Sequence, residues 1–225
     1  MTLRTSDVEL NLVSGRTVRA ALAEPPNSPA PGLVVIHEWW GLNDEMRRIA
    51  EDLAGSGYRA LAVDLFEGQV TDDPAVAKTL MTSIDPAKAR ETLVGWVDWL
   101  RKVPKSNGKV GAIGFCLGGG WALNASLATP LEATVVYYGN VKKDAAELQA
   151  LSGPVQGHFG KLDQAIHTEM VEGFRKALES AAKPHEIHLY DANHAFAREG
   201  GPNFEPAAAA LARRRTLEFL KKTLG

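Results

Sequence analysis

The chain has 225 residues, of which 45% are hydrophobic and 23% charged, so it can form an ordinary globular protein with a sizeable core. Its 25 basic and 27 acidic residues give a net charge of −2, which does not favour a nucleic-acid partner. A single cysteine can form neither an internal disulfide nor a thiolate metal cluster.

The beginning of the chain, MTLRTSDVELNLVSG, has no apolar core of signal-peptide length, and no stretch reaches the roughly 18 apolar residues that a membrane span requires. We therefore expect a cytoplasmic protein without a membrane partner. In a reducing compartment the lone thiol would stay free for chemistry.

Short β-rich runs alternate with helix-like segments along the chain. Residues 8–13 and 17–24 flank a Ser-Gly-Arg turn and predict a hairpin. The proline-rich residues 25–32 predict a surface connection, because proline removes backbone donors that a sheet interior needs. Six apolar runs then predict strands over 33–37, 59–65, 109–115, 133–139, 154–160 and 186–191. Segments between and after them predict helices over 44–57, 86–102, 118–128, 167–181 and 206–224.

The predicted strands are continuous apolar runs, which indicates burial on both faces, as in a parallel sheet covered by helices. The alternation of strand and helix predicts an α/β fold: a single domain over residues 1–225, with a mostly parallel central sheet of about eight strands and helices on both faces. In such sheets, catalytic groups gather beyond the carboxyl ends of the strands.

The only cysteine lies between glycines in GFCLGGG, directly after the run 109–115. Gly-x-Cys-x-Gly is typical of a nucleophile elbow with sulfur in place of the serine oxygen. The sharp turn leaves no room for side chains at Gly114 and Gly118, and it puts the thiol of Cys116 at a helix N-terminus, which favours the thiolate. The alternatives are a cofactor loop, whose G-x-G-x-x-G register is absent, and a small structural residue in a tight turn.

A thiol nucleophile needs a base and a group that orients the base. His194, in DANHAF after the last predicted strand, satisfies the order nucleophile, acid, histidine. Asp163, in GHFGKLD after the penultimate strand, is predicted to hold the imidazole in its tautomer. Asp191 is nearer in sequence to His194, but we expect it to cap or fix the loop. A histidine or aspartate taken alone is more often structural.

The segment HEWWGLN places a carboxylate, Glu38, directly after the run 33–37. A carboxylate beside a thiolate is repulsive, so we expect Cys116 to rest as a thiol that loses its proton when substrate displaces Glu38. The alternative is a surface glutamate paired with Arg47. The backbone N–H groups of Leu117 and Trp39 are the predicted oxyanion donors.

The segments GFCLGGG, HEWWG, PVQGHFGKLD and NHAFAR all occur in this chain, and with them the sequence resembles the dienelactone hydrolase family of α/β-hydrolases from about residue 8 to the C-terminus. The resemblance implies hydrolysis of small cyclic enol esters such as dienelactones, with no metal or organic cofactor, through a Cys-His-Asp triad. The matching residues are Cys116, His194 and Asp163, with Glu38 modulating the thiol.

The resemblance also bears on the substrate. Arg198 matches an arginine that binds the substrate carboxylate in this family, and a guanidinium suits a planar carboxylate. A second arginine is expected after the run 59–65, but residues 66–85 contain none, and Lys78 is their only cation. Aromatic side chains near predicted strand ends are candidates for an apolar slot, with core packing as the alternative: Trp39, Trp40, Tyr137, Tyr138 and Phe66.

Two other functions stay open at this point. One is a general small-ester or thioester hydrolase for a neutral substrate, and the other is a non-catalytic binding protein with an α/β-hydrolase-like fold. The expected partner is a small-molecule ester or lactone, anionic if Arg198 binds it, and the chain is expected to be a monomer or a dimer.

Overall fold

The structure is a computed structural model that describes residues 4–26 and 29–225. The strands are β1 (Arg4–Asn11), β2 (Thr17–Glu24), β3 (Ala30–Ile36), β4 (Arg59–Val63), β5 (Ser106–Phe115), β6 (Ala133–Tyr137), β7 (Val155–Gly160) and β8 (His185–Tyr190). The helices are α1 (Asp44–Gly55), α2 (Pro74–Ser83), α3 (Pro86–Lys102), α4 (Leu117–Ala128), α5 (Ala145–Leu148), α6 (Thr168–Ser180) and α7 (Pro206–Leu224).

The strands form a sheet in the order β1-β2-β4-β3-β5-β6-β7-β8. The β1–β2 and β2–β4 pairs are antiparallel, whereas β3–β4, β6–β7 and β7–β8 are parallel. Strands β4, β6 and β7 are buried along their whole length, as predicted from their mainly apolar sequences, and this burial includes four polar residues: Arg59, Thr134, Gln156 and His158. The prediction of an α/β fold with a mostly parallel sheet of about eight strands is confirmed. Within residues 4–26 and 29–225, no helix is both long and apolar enough to cross a membrane.

The chain forms two compact units, one ending at Ala112 and the other comprising Ile113–Gly225, and β5 runs through the boundary. In the first unit, α1 packs on β2 and β4, and α3 packs on β3. In the second, α4 and α7 pack on β6, and α6 packs on β8. A buried cluster fills the second unit with Leu123, Val136, Val141, Leu148, Leu151, Val155, Phe159, Ile166, Val171, Phe174, Leu178 and Ala181. The single domain over residues 1–225 stays a prediction.

Several predicted boundaries were wrong at the strand ends. Strand β1 ends at Asn11 and Val13 is exposed in the turn, whereas the prediction ran from 8 to 13. Strand β3 already begins at Ala30, whose N–H donates to the carbonyl of Lys105, so the predicted connection 25–32 is too long. Part of that connection, residues 27 and 28, lies outside the described residues. Strand β6 ends at Tyr137 because Tyr138 has a φ of 40°.

Two helices were missed. Helix α2 starts with Pro74 at its first position, and the Asp73 side chain accepts from the N–H groups of Ala75 and Val76. Helix α5 is a single turn held by a capping box between Asp144 and Glu147. Helix α2 therefore occupies half of the segment in which the second arginine was expected.

Candidate active site

A sharp turn between β5 and α4 presents the only cysteine. Cys116 has φ 52° and ψ −115°, a conformation that L-residues rarely adopt, and its side chain is partly exposed. A Cβ at Gly114 would overlap the carbonyl oxygen of Gly118, so only glycine fits there. The N–H of Cys116 donates to the carbonyl of Tyr137 at 3.0 Å, which fixes the turn to the end of β6.

Helix α4 lies unusually close to the residues that follow β6. A Cβ on Gly119 would stand 2.8 Å from the Cα of Gly139, so glycine permits this approach. Leu117 is the first residue of α4, and first-turn N–H groups have no carbonyl partner within their own helix. The predicted oxyanion donor Leu117 therefore directly follows the sulfur-bearing residue at a helix N-terminus.

The loops after β7 and β8 bring an imidazole and a carboxylate to the sulfur. His194 Nε2 lies 3.1 Å from Cys116 Sγ, and His194 Nδ1 lies 2.7 Å from Asp163 Oδ2. The other carboxylate oxygen of Asp163 accepts from the N–H groups of Ala165 and Ile166 at 2.8 and 2.9 Å. Because these bonds hold Oδ1, the carboxylate keeps Oδ2 directed at the imidazole.

Backbone contacts tie these two loops together. The N–H of Leu162 donates to the carbonyl of Ala192 at 3.0 Å, and a Cβ at Gly160 would overlap that same carbonyl. Asp191, expected to fix the loop, accepts from Lys161 Nζ at 2.7 Å, and its side chain is 86% exposed. The spacing of the triad-like side chains is thus set mainly by main-chain hydrogen bonds.

The electrostatics of the site favour a charged imidazole. Burial lowers the pKa of His194, but its hydrogen bonds to Asp163 and Cys116, together with their charges, raise that pKa from 6.5 to about 10. For Asp163, burial acts to raise the pKa, whereas the hydrogen bonds from His194, Ile166 and Ala165 bring it below the ordinary 3.8. Because part of this rise comes from the charge of the Cys116 sulfur, the arrangement stabilises the imidazolium–thiolate pair that forms once the thiol proton has moved to His194.

Two successive tyrosines at the end of β6 have different surroundings. Tyr138 is buried with its ring centroid 5.2 Å from that of His194. Tyr137 is also buried, with its hydroxyl 2.7 Å from Thr216 Oγ1 and its ring against Phe115, and burial raises its pKa. This placement favours core packing over the expected slot-lining role for Tyr137. The sequence placed both tyrosines near a strand end but did not single out Tyr138 as the neighbour of His194.

The remaining predicted residues, apart from Arg198, belong to the first unit. Glu38 follows β3 and is 6% exposed. His37 Nδ1–H donates to the Glu38 carbonyl, and His37 Nε2 accepts from the N–H of Leu65 at 3.1 Å, which ties this loop to the end of β4. Burial lowers the pKa of His37, and the hydrogen bond accepted by Nε2 requires the neutral imidazole. Arg47, the alternative partner considered for Glu38, pairs with Asp7 at 2.6 Å.

The aromatic candidates of the first unit pack in pairs. Trp39 and Trp40 are partly buried and meet edge to face, with ring centroids 4.9 Å apart. Phe66 is buried with its ring 4.8 Å from the His37 imidazole. In the second unit, Arg198 is partly buried in the loop after His194, where its backbone N–H donates to the carbonyl of Ala195. Among the described residues, no cluster of three or more potential ligands is placed to hold a metal.

Comparison with known proteins identifies the family. The sequence model of the dienelactone hydrolase family matches residues 18–224. The chain belongs to the dienelactone hydrolase family. It is 31% identical over 232 residues to a carboxymethylenebutenolidase of Pseudomonas putida, covering 96% of each chain, and 29% identical over 223 residues to carboxymethylenebutenolidase 1 of Cupriavidus pinatubonensis (strain JMP 134 / LMG 1197), covering 95% of each.

The fold of this dienelactone hydrolase family member is also found among solved structures. A protein from Klebsiella pneumoniae subsp. pneumoniae MGH 78578, assigned as a dienelactone hydrolase, superimposes with a TM-score of 0.89 at 25% identity, over 99% of this chain and all of the other. The α/β-hydrolase fold, the predicted family and the prediction that the chain is a hydrolase of ester bonds are confirmed. Family membership leaves the non-catalytic alternative without support.

Proposed function

We propose that this hydrolase opens small cyclic enol esters of the dienelactone type, with Cys116 as nucleophile, His194 as general base and Asp163 as the group that orients the base. The observation that carries the proposal is the continuous chain of hydrogen bonds, 3.1 Å from sulfur to imidazole and 2.7 Å from imidazole to carboxylate. Support for the substrate class comes from the relatives named carboxymethylenebutenolidase.

The proposed reaction has two halves with an acyl-thioester between them. His194 Nε2 takes the thiol proton, and the sulfur of Cys116 attacks the lactone carbonyl carbon. The backbone N–H of Leu117 and that of Trp39 stabilise the oxyanion. The ring C–O bond then breaks, and the departing enolate oxygen takes the proton back from the imidazolium. In the second half, His194 deprotonates a water that attacks the thioester carbonyl, and the sulfur leaves and is reprotonated.

Glu38 is proposed to control when the sulfur ionises. Its carboxylate would disfavour a thiolate in the absence of substrate, and displacement by the bound substrate would remove that repulsion. The Glu38 backbone is held by His37, so we expect only the side chain to move. Any displacement would therefore leave the neighbouring oxyanion donor Trp39 in place.

The substrate charge decides between two closely related functions. Arg198 would bind a substrate carboxylate, with Trp40 and Phe66 as apolar neighbours in the proposed slot. A neutral ester is the second candidate, because residues 66–85 lack the second arginine and their only cation, Lys78, is exposed on α2. The absence of one of two carboxylate ligands would weaken binding of an anionic lactone by about 1.5–3 kcal/mol, roughly a tenfold to hundredfold change.

The test is a kinetic comparison of the wild type with Cys116→Ala on cis- and trans-dienelactone and on p-nitrophenyl esters. We expect Cys116→Ala to abolish turnover while its unfolding curve stays close to wild type. Activity retained in this variant would overturn the nucleophile assignment.

A second comparison addresses the substrate. A lactone bearing a carboxylate is measured against its methyl ester in the wild type, in Arg198→Ala and in Arg214→Ala, an exposed arginine on α7 that serves as control. Preference for the anion that is lost only in Arg198→Ala supports the dienelactone-type substrate. Equal rates on both substrates in all three proteins support the neutral ester. Cytoplasmic location and a monomeric or dimeric state stay predictions.

A further inference from the structure

Tyr138 combines two unusual features beside the proposed active site. It is a large aromatic residue with a φ of 40°, a region that bulky side chains rarely occupy, and it is 1% exposed. Such strained residues persist only where the surrounding structure holds them, and they concentrate at functional sites.

The backbone around Tyr138 is fixed on both sides. The preceding carbonyl, of Tyr137, accepts from the N–H of Cys116, and the N–H of Tyr138 itself donates to the carbonyl of His158 on β7 at 2.8 Å. The following residue, Gly139, lies against the backbone of Gly119 on α4. The strained conformation is thus imposed at the point where the elbow, β6 and β7 meet.

The ring of Tyr138 packs against the imidazole of His194. Their centroids are 5.2 Å apart with the ring planes at 62°, and Phe196 supports the tyrosine ring from another side at 5.4 Å and 71°. Both distances and angles are those of favourable edge-to-face aromatic pairs. The ring thus contacts the proposed base and a second rigid aromatic group at the same time.

Hydrogen bonds alone leave one motion of the imidazole free. Both nitrogens of His194 are engaged, Nδ1 with Asp163 and Nε2 with Cys116. Hydrogen bonds at these two nitrogens hold the ring within its own plane. They only weakly resist rotation of the ring about the line that joins the two nitrogens. A rigid aromatic ring in van der Waals contact blocks that rotation, and its π-electrons also favour the imidazolium form.

We propose that Tyr138 is a positioning residue, whose ring holds the His194 imidazole in line between the Cys116 sulfur and the Asp163 carboxylate. Its positive φ is the consequence of bringing that ring from the end of β6 to the base. The inference rests on the proposed function of these three residues, and it adds a fourth side chain that acts through His194 without touching substrate.

Tyr137 provides a matched control within the same strand end. It is the same residue type, it is also buried, and its ring and hydroxyl contact Phe115, His158 and Thr216. Replacement of either tyrosine by leucine removes a buried aromatic ring. Only Tyr138→Leu removes the ring described above as packing on His194.

The experiment measures kcat and KM for p-nitrophenyl acetate in Tyr138→Leu, Tyr138→Phe and Tyr137→Leu, with urea unfolding of each. We expect Tyr138→Leu to lower kcat by about tenfold, the upper range for loss of one aromatic pair, with KM within about twofold. Tyr138→Phe keeps the ring and should restore kcat. Tyr137→Leu should lose stability, and its kcat should fall by less than that of Tyr138→Leu.

A spectroscopic measurement reports the imidazole directly. In proton NMR, the low-field signal of the His194 Nδ1 proton should be present in the wild type and in Tyr138→Phe, and broadened in Tyr138→Leu. If Tyr138→Leu does not fold, Tyr138→Met replaces it, because methionine fills irregular space without a flat ring.

Two results would overturn the inference: unchanged kcat in Tyr138→Leu with a sharp Nδ1 signal, or an equal loss of kcat in Tyr138→Leu and Tyr137→Leu. Cys116→Ala is measured in parallel to separate this outcome from failure of the proposed function. An active Cys116→Ala variant defeats the proposed function itself, whereas an inactive one alongside a fully active Tyr138→Leu defeats only the positioning role.

Discussion

Replacement of Asp163 by asparagine separates the two sets of contacts that this side chain makes. The amide oxygen can still accept from the N–H groups of Ala165 and Ile166, because asparagine forms the same local turn as aspartate. The oxygen that faces His194 Nδ1 at 2.7 Å becomes an NH₂ group, which donates. In the neutral imidazole, which is the form that takes the thiol proton, Nδ1 must then accept. Its single proton therefore moves to Nε2, where it blocks transfer of the thiol proton from Cys116.

The size of the effect follows from the pKa of His194. That pKa is about 10 against an ordinary 6.5, which corresponds to about 5 kcal/mol in favour of the imidazolium at about 1.4 kcal/mol per unit. Asp163 and Cys116 are the two groups that raise this pKa, and a hydrogen bond to a charged group contributes about 1.5–3 kcal/mol. Asp163→Asn should therefore lower the free energy of unfolding at pH 7 by about 2 kcal/mol. The wrong tautomer should lower kcat by about 10³- to 10⁴-fold.

The assay is p-nitrophenyl ester hydrolysis at pH 7, together with urea unfolding. Asp191→Asn is the matched control, because Asp191 lies three residues before His194 and its side chain is 86% exposed. Its ion pair with Lys161 is at the surface and contributes little to stability. We expect this control to keep kcat within about twofold. If Asp163→Asn kept kcat within tenfold of the wild type, the assignment of Asp163 as the orienting group would be refuted.

Three further predictions concern the turn, the pH and the glutamate. In urea titrations, Gly114→Ala should lower the free energy of unfolding by about 3 kcal/mol, because the added Cβ overlaps the Gly118 carbonyl. Gly173→Ala on α6 meets open space and should raise that free energy by up to about 1 kcal/mol. Equal effects of the two substitutions would contradict the described elbow. Since folding raises the pKa of His194, the contribution of this histidine to stability is complete below pH 6.5 and is lost as the pH rises to about 10. Between pH 7 and pH 10 the wild type should therefore lose more free energy of unfolding than His194→Gln. Parallel losses would contradict the charged imidazole. Glu38→Gln should speed alkylation of Cys116 by iodoacetamide several-fold without substrate, and an unchanged rate would rule out control of the thiol by Glu38.

The elements that the sequence predicted best are those whose formation depends on burial or on a local steric requirement. Strands β4, β6 and β7 are buried on both faces, so apolar residues predominate in their runs despite buried polar side chains such as Arg59, Gln156 and His158. The turn at Cys116 was predictable because a close approach at Gly114 admits no side chain. His194 and Asp163 followed from the chain order of the elbow motif and from their places after strands.

The parts that were missed depend on contacts that a linear pattern does not record. Helix α2 buries only Ala77 and Leu80, so its apolar periodicity was too weak, and only its Asp-Pro start signalled it. The different roles of Tyr137 and Tyr138 depend on where β6 ends. The positive φ of Tyr138 takes its ring out of the strand alternation and places it on His194.

The central claim is that turnover passes through an acyl group bonded to the sulfur of Cys116. The most direct measurement is mass spectrometry of enzyme quenched in acid during hydrolysis of a p-nitrophenyl ester, followed by peptide mapping. We expect a mass increase equal to the acyl group, located on the peptide that contains Cys116 and absent from Cys116→Ala. Rapid turnover with the acyl group on another residue, or with the same adduct in Cys116→Ala, would contradict it.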